Sequence, residues 1–149
     1  MNIGFVCSSG GHLAQLHALQ AWWGQHDRFW VTFDLPDSAE LLADERVHHG
    51  AWPTTRNLPN LVRNARQARQ VMWKEQPDVL VSNGAGIALP FFAMARLMGV
   101  PTVFIEVYDR IDSPSLTGRL LAPLADRVVL QWPEQQRHYP SGVVLGRVW

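Results

Sequence analysis

Apolar positions along the chain form two alternating kinds of segment: short compact runs, and longer stretches in which they return every three or four residues. The runs predict strands over 3–7, 27–33 (DRFWVTF), 77–82 (PDVLVS), 102–106 and 126–131 (DRVVLQ), with shorter ones over 46–52 (RVHHGAW) and 143–145. The stretches predict helices over 12–23, 60–76, 87–98 and 115–124, and a short one ending near 43 that Asp37 or Ser38 caps. The helix over 60–76 is the best marked, with Leu61, Ala65, Ala68, Val71 and Met72 at helical spacing. Gly24 and Gly99 stand where C-terminal caps belong, and Pro90 falls in a first turn, where proline is tolerated.

Strands alternating with helices predict an α/β fold: a Rossmann-like, doubly wound parallel sheet forming one domain over 1–149. Ligands of such sheets bind beyond the carboxyl ends of the strands, near the point where the strand order reverses. Four polar clusters fall at predicted strand ends, over 8–12, 82–86, 106–110 and 131–134. Their convergence on one edge is the main sequence signal for a site.

The first cluster, Ser8-Ser9-Gly10-Gly11-His12, joins a strand to a helix. First-turn amides lack backbone partners and carry the positive end of the helix dipole, and glycines let a ligand approach them. The loop therefore reads as an anion or phosphate site, or as a tight turn without a ligand. Both the G-x-G-x-x-G fingerprint and the Walker sequence are absent, which lowers the weight of a free-standing nucleotide-binding domain. No G-x-S-x-G elbow marks Ser8 or Ser9 as a nucleophile.

His12 at a helix start is held neutral by the dipole, so it is either a base for a hydroxyl or a cap and loop contact. Glu106 and Arg110 bracket a loop, where they bind sugar and phosphate or form a structural ion pair. Arg63, Arg66 and Arg69 share a helix face, which is a solvated basic surface or one drawn to an anionic membrane or a phosphorylated ligand. His48 and His49 point to opposite faces of a strand, and no ligand set has metal spacing.

Composition narrows the class. Lys and Arg number 13 against 13 for Asp and Glu, which argues against a general nucleic-acid binder. The single cysteine, Cys7, forms no internal disulfide and fits a reducing compartment. No apolar run has membrane-spanning length, and the start is too short in its apolar part for a signal peptide. Seven tryptophans are many for 149 residues, and some are expected at an interface or a membrane boundary.

Four separated motifs, SSGGHL at 8–13, SNGAG at 82–86, IEVYDRIDSPSLTGRLLAPLADRVVLQWPE at 105–134 and YPSGVVLG at 139–146, resemble the Alg-fourteen family of oligosaccharide biosynthesis proteins. The match is closest to its bacterial polysaccharide-biosynthesis members of the PssD and EpsD-like type. The resemblance implies one lobe of a GT-B glycosyltransferase, similar to the N-terminal half of a MurG-like enzyme. It implies a separate Alg-thirteen-like chain that holds the nucleotide-sugar donor, a polyprenyl-diphosphate-linked sugar acceptor, and no cofactor. On that reading the pair transfers a hexosyl or N-acetylglucosaminyl group with inversion, and this chain alone is inactive. His12 and Glu106 become the catalytic candidates, with His12 taking the acceptor proton. Ser8, Ser9, Gly10, Gly11, Asn83, Gly84, Gly86 and Arg110 become the acceptor and phosphate contacts. Eukaryotic members carry an N-terminal membrane anchor, whereas this sequence starts directly on its first strand. The expectation is peripheral attachment to the cytoplasmic face of the inner membrane through Trp22, Trp23 and the Arg63, Arg66, Arg69 row. The alternative role is a non-catalytic anchor for the partner.

Overall fold

The computed structural model describes residues 1–148. Seven parallel strands among them form one sheet: β1 (Asn2–Val6), β2 (Asp27–Thr32), β3 (Val47–His49), β4 (Val79–Ser82), β5 (Thr102–Ile105), β6 (Arg127–Leu130) and β7 (Val143–Val144). Their order is β3-β2-β1-β4-β5-β6-β7. The order reverses between β1 and β4, and that places the switch point where the loops after these two strands meet.

Helices α1 (Gly11–His17), α2 (Gln20–Trp23), α3 (Pro36–Leu41), α4 (Leu58–Glu75), α5 (Ala88–Met98) and α6 (Leu116–Leu121) flank the sheet. On one face Ala68, Met72, Phe91, Phe92 and Leu121 pack over Phe29, Leu80 and Phe104. On the other, Leu13, Leu16 and Trp23 pack over Ile3, Phe5 and Trp30. The strand centres are apolar toward both layers, as a buried parallel sheet requires. Gly4 is needed on β1 because a Cβ there would stand 2.6 Å from the Phe29 ring.

The predicted helix over 12–23 is broken into α1 and α2. The Trp23 indole N–H donates to the Leu16 carbonyl at 3.0 Å, and Leu19 N–H reaches the same carbonyl at 3.2 Å. Leu16 is thereby taken out of the regular ladder, and the chain turns at Leu19. Helix α4 starts earlier than its apolar pattern, because Asn57 accepts from Asn60 N–H at 3.0 Å and Pro59 suits a first turn. Beyond β6, after the start of the polar cluster over 131–134, a 3-10 helix spans Pro133–Arg137.

Candidate functional site

The loops after β1, β4 and β5 enclose a cavity of about 430 Å³ at the carboxyl edge of the sheet. Gly11, His12 and Gln15 of α1 form one side, Ala85 the second, and Val107 to Arg110 with Ser115 to Thr117 the third.

His12 lies at the switch point. Its Nδ1 is 3.1 Å from the Asn83 carbonyl oxygen, and Asn83 Nδ2 donates to the His12 carbonyl at 2.8 Å. A carbonyl only accepts, so Nδ1 carries the proton and Nε2 is the lone-pair nitrogen of the neutral ring. Burial pushes the His12 pKa below the ordinary imidazole value of 6.5, while the Asn83 contacts and the Asp109 and Glu106 charges oppose that shift. The ring is thus neutral at pH 7 and available as a base. Gly84 has φ 118°, and a Cβ there would stand 3.3 Å from His12 Cε1. The second glycine loop therefore closes against the imidazole.

The predicted phosphate cradle is only partly assembled. Gly11 lines the cavity; Ser8, Ser9 and Gly10 do not. The Gly10 N–H donates to the Asp37 carboxylate at 2.5 Å, so the position expected for an anion holds one of the chain's own charges. Asn83 is buried, with its Nδ2 and backbone carbonyl held by His12 and its Oδ1 left without a partner among the described residues, and Gly86 faces Thr54, with a Cβ placed 3.0 Å from that side chain. Arg110 lines the rim as an exposed cation.

Glu106 is placed differently from its predicted role. It is fully buried and does not line the cavity. Its carboxylate accepts from Val107 N–H at 3.0 Å, Ser115 N–H at 3.2 Å, Ser115 Oγ at 3.3 Å and the Tyr139 hydroxyl. With four internal donors it is held inside the fold and does not pair with Arg110. Burial, and then the adjacent carboxylate, hold the Tyr139 phenol far above its usual range.

Trp23 is also corrected: it is a core residue, 1% exposed, whereas Trp22 is 43% exposed. Helical spacing alone predicts two adjacent positions with different environments but not which of them faces the sheet. Arg63, Arg66 and Arg69 are exposed along α4 as expected, and Arg63 donates to Asn60 Oδ1 at 3.2 Å. Four exposed apolar side chains, Trp52, Leu58, Leu61 and Val62, stand between β3 and the first turns of α4. Their signal was present in the sequence as apolar residues beside a proline-rich loop. No helix among the described residues is long and apolar enough to cross a membrane. Among those residues, no three or more His, Cys, Asp or Glu gather as metal ligands.

A family model described as "Oligosaccharide biosynthesis protein Alg14 like" matches residues 52–148. The human UDP-N-acetylglucosamine transferase subunit ALG14 is 29% identical over 104 residues, covering 66% of this chain and 47% of that protein. A Syntrophotalea carbinolica UDP-N-acetylglucosamine--N-acetylmuramyl-(pentapeptide) pyrophosphoryl-undecaprenol N-acetylglucosamine transferase is 34% identical over 102 residues, covering 67% of this chain and 28% of the enzyme. The chain thus spans less than half the length of either relative. Among solved structures, Acinetobacter baumannii MurG superposes with a TM-score of 0.75 at 19% identity, over 89% of this chain and 42% of that one. A UDP-N-acetylglucosamine 2-epimerase superposes with a TM-score of 0.80 at 9% identity, over 99% of this chain and 48% of that one. At such identities these two likenesses speak for the fold.

Proposed function

The chain belongs to the Alg14-like family of oligosaccharide biosynthesis proteins, and from that premise we propose that it is the acceptor-binding lobe of a two-chain glycosyltransferase. The observation that carries this reading is the His12–Asn83 clasp, which presents a neutral imidazole to a cavity at the switch point. The acceptor is a polyprenyl-diphosphate-linked sugar, and a companion chain of the Alg-thirteen type holds the nucleotide-sugar. The acceptor hydroxyl attacks the anomeric carbon as the bond to the nucleotide diphosphate breaks. His12 Nε2 takes the hydroxyl proton. Arg110 and the first-turn amides of α1 that Asp37 leaves open hold the acceptor diphosphate.

The companion's docking surface is assigned to a trough of about 520 Å³ over β4, β5 and β6, lined by Leu19, Val79, Val103, Val129 and Leu145. A parallel sheet ordinarily has helices on both faces. Here, among the described residues, this part of one face is only partly covered, by Leu19, Trp22 and the 145–148 segment, and relatives of this chain are named as transferase subunits. Co-expression with the companion tests the reading. The pair should transfer N-acetylglucosamine to a polyprenyl-diphosphate-linked sugar, with neither chain active alone. Transfer at full rate by this chain without a partner would overturn it.

Membrane attachment is assigned to Trp52, Leu58, Leu61 and Val62, with Arg56, Arg63 and Arg66 beside them. All seven are exposed. They lie toward the carboxyl edge, so a lipid-linked acceptor keeps its tail in the bilayer while its head group reaches His12. Removing two of the larger apolar side chains, in Trp52→Ser with Leu58→Ser, should weaken partition to phosphatidylglycerol vesicles by about tenfold or more. Unchanged partition would move the contact elsewhere.

A further inference from the structure

The YPSG motif and the polar run between β6 and β7 have no part in the reaction above. In the structure they meet behind the third wall of the cavity. The loop over 107–114, whose first four residues line that wall, joins β5 to α6 and has no regular secondary structure. Its backbone carbonyls are held by side chains from one short segment. Gln135 Nε2 donates to Val107 O at 2.9 Å and to Arg110 O at 3.2 Å. Trp132 Nε1 donates to Tyr108 O at 2.7 Å, Arg137 to Ile111 O at 3.1 Å and His138 Nε2 to Asp112 O at 3.0 Å. Both ends of the wall are tied to one carboxylate, because Glu106 accepts the N–H of Val107 and of Ser115. The Tyr139 hydroxyl donates to that same carboxylate.

We infer that the segment over 131–139 is a clamp that sets the shape of the acceptor cavity, with Tyr139 and Gln135 as positioning residues acting through the 107–114 wall. The inference rests on the acceptor reading of the cavity. Five of the eight loop residues have their carbonyls held from the same side, and three of those five, Val107, Tyr108 and Arg110, line the cavity. A loop only filling a gap has no need of such matching; an irregular backbone that must keep one shape does, since each unpaired polar group would otherwise seek water and move. Gln135 is fully buried and uses both ends of its amide, its Oε1 accepting from Gln131 N–H at 2.9 Å and Trp132 N–H at 3.2 Å. Ser115 Oγ accepts from Gly118 N–H at 2.9 Å, capping α6, while donating to Glu106. Gly118 must lack a side chain, because a Cβ would overlap the Tyr139 hydroxyl and stand 2.5 Å from Glu106 Oε2. The wall, the helix start and the clamp are therefore one hydrogen-bonded unit, and Arg110 on the rim takes its position from it.

Tyr139→Phe keeps the ring packed beside Phe104 and removes one donor, and Gln135→Met keeps the volume and removes the amide. Hydrogen exchange on the full chain, and transfer by the co-expressed pair to a short polyprenyl diphosphate carrying N-acetylglucosamine, test both variants. Amides over 107–115 should exchange about tenfold faster, with β1, β2 and β4 unchanged. The acceptor KM should rise about tenfold, with a smaller change in kcat. Unchanged exchange in the wall overturns the clamp, as does acceleration spread evenly over the sheet. A loosened wall with an unchanged KM overturns its role in acceptor binding. If the unaltered pair transfers nothing to this acceptor, the acceptor reading has failed, while the exchange result still decides the clamp.

Discussion

Replacing His12 with alanine should lower kcat of the two-chain complex by about 10²–10⁴-fold while leaving the complex assembled. The size of the effect follows from what else is near. The buried carboxylate of Glu106 is spent on internal donors, so it offers no substitute base. Nor does His12 cap its own helix: the N-cap of α1 is Gly10, and no side chain caps it. What the substitution does remove structurally is the contact to the Asn83 carbonyl, a hydrogen bond worth about 1 kcal/mol in stability. A melting measurement separates that loss from the catalytic one.

The pH dependence gives an independent reading of the same group. A base must be unprotonated to act. Burial holds the His12 pKa below 6.5. The imidazole is therefore protonated less readily than an ordinary one, and turnover should hold from neutral pH upward. The midpoint of its acid decline should fall below 6.5, and His12→Ala should abolish that limb. A variant within a few-fold of the unaltered rate, with the same acid limb, would leave the chain as an anchor for its partner and His12 as a loop contact.

The sheet was legible because each strand announces itself as a compact apolar run, and β4 and β5 lie within one or two residues of their predicted limits. The edge carrying the site followed from topology, since loops after parallel strands emerge together. Side-chain destinations were less legible. Glu106 ends a strand whether it faces a ligand or turns inward; what turns it inward is Tyr139, 33 residues further along the chain. Asp37 reaches Gly10 across 27 residues, and no local pattern around the glycine loop contains that charge. The break between α1 and α2 likewise depends on an indole reaching back to Leu16, against a helical pattern that runs on unbroken. Local spacing specifies elements, whereas the partners of buried polar groups are set by contacts distant in sequence.

The largest loss of stability is expected at Trp23. Trp23→Ala should destabilise the fold by about 3–5 kcal/mol, a large share of the 5–15 kcal/mol usual for a domain. The indole is 1% exposed and stands edge-on to Trp30 at 5.6 Å and to Phe5 at 6.3 Å. The Arg28 guanidinium lies 4.5 Å from its ring centroid, and Arg28 in turn pairs with Glu45 at 2.6 Å. Truncation would open a cavity in the α1 layer, strip the Leu16 carbonyl of its indole donor and remove the aromatic surface beneath that ion pair. Trp22→Ala is the comparison, because the neighbouring ring is 43% exposed and meets Phe5 only edge-on at 6.3 Å. Its cost should be about 1 kcal/mol. Urea unfolding of both variants decides between a core role and a surface role for Trp23. Equal midpoints would place its ring outside the core and restore it as a membrane contact. A midpoint far lower for Trp23→Ala, with vesicle partition unchanged in the fraction still folded, would leave membrane attachment to the apolar rim beside α4.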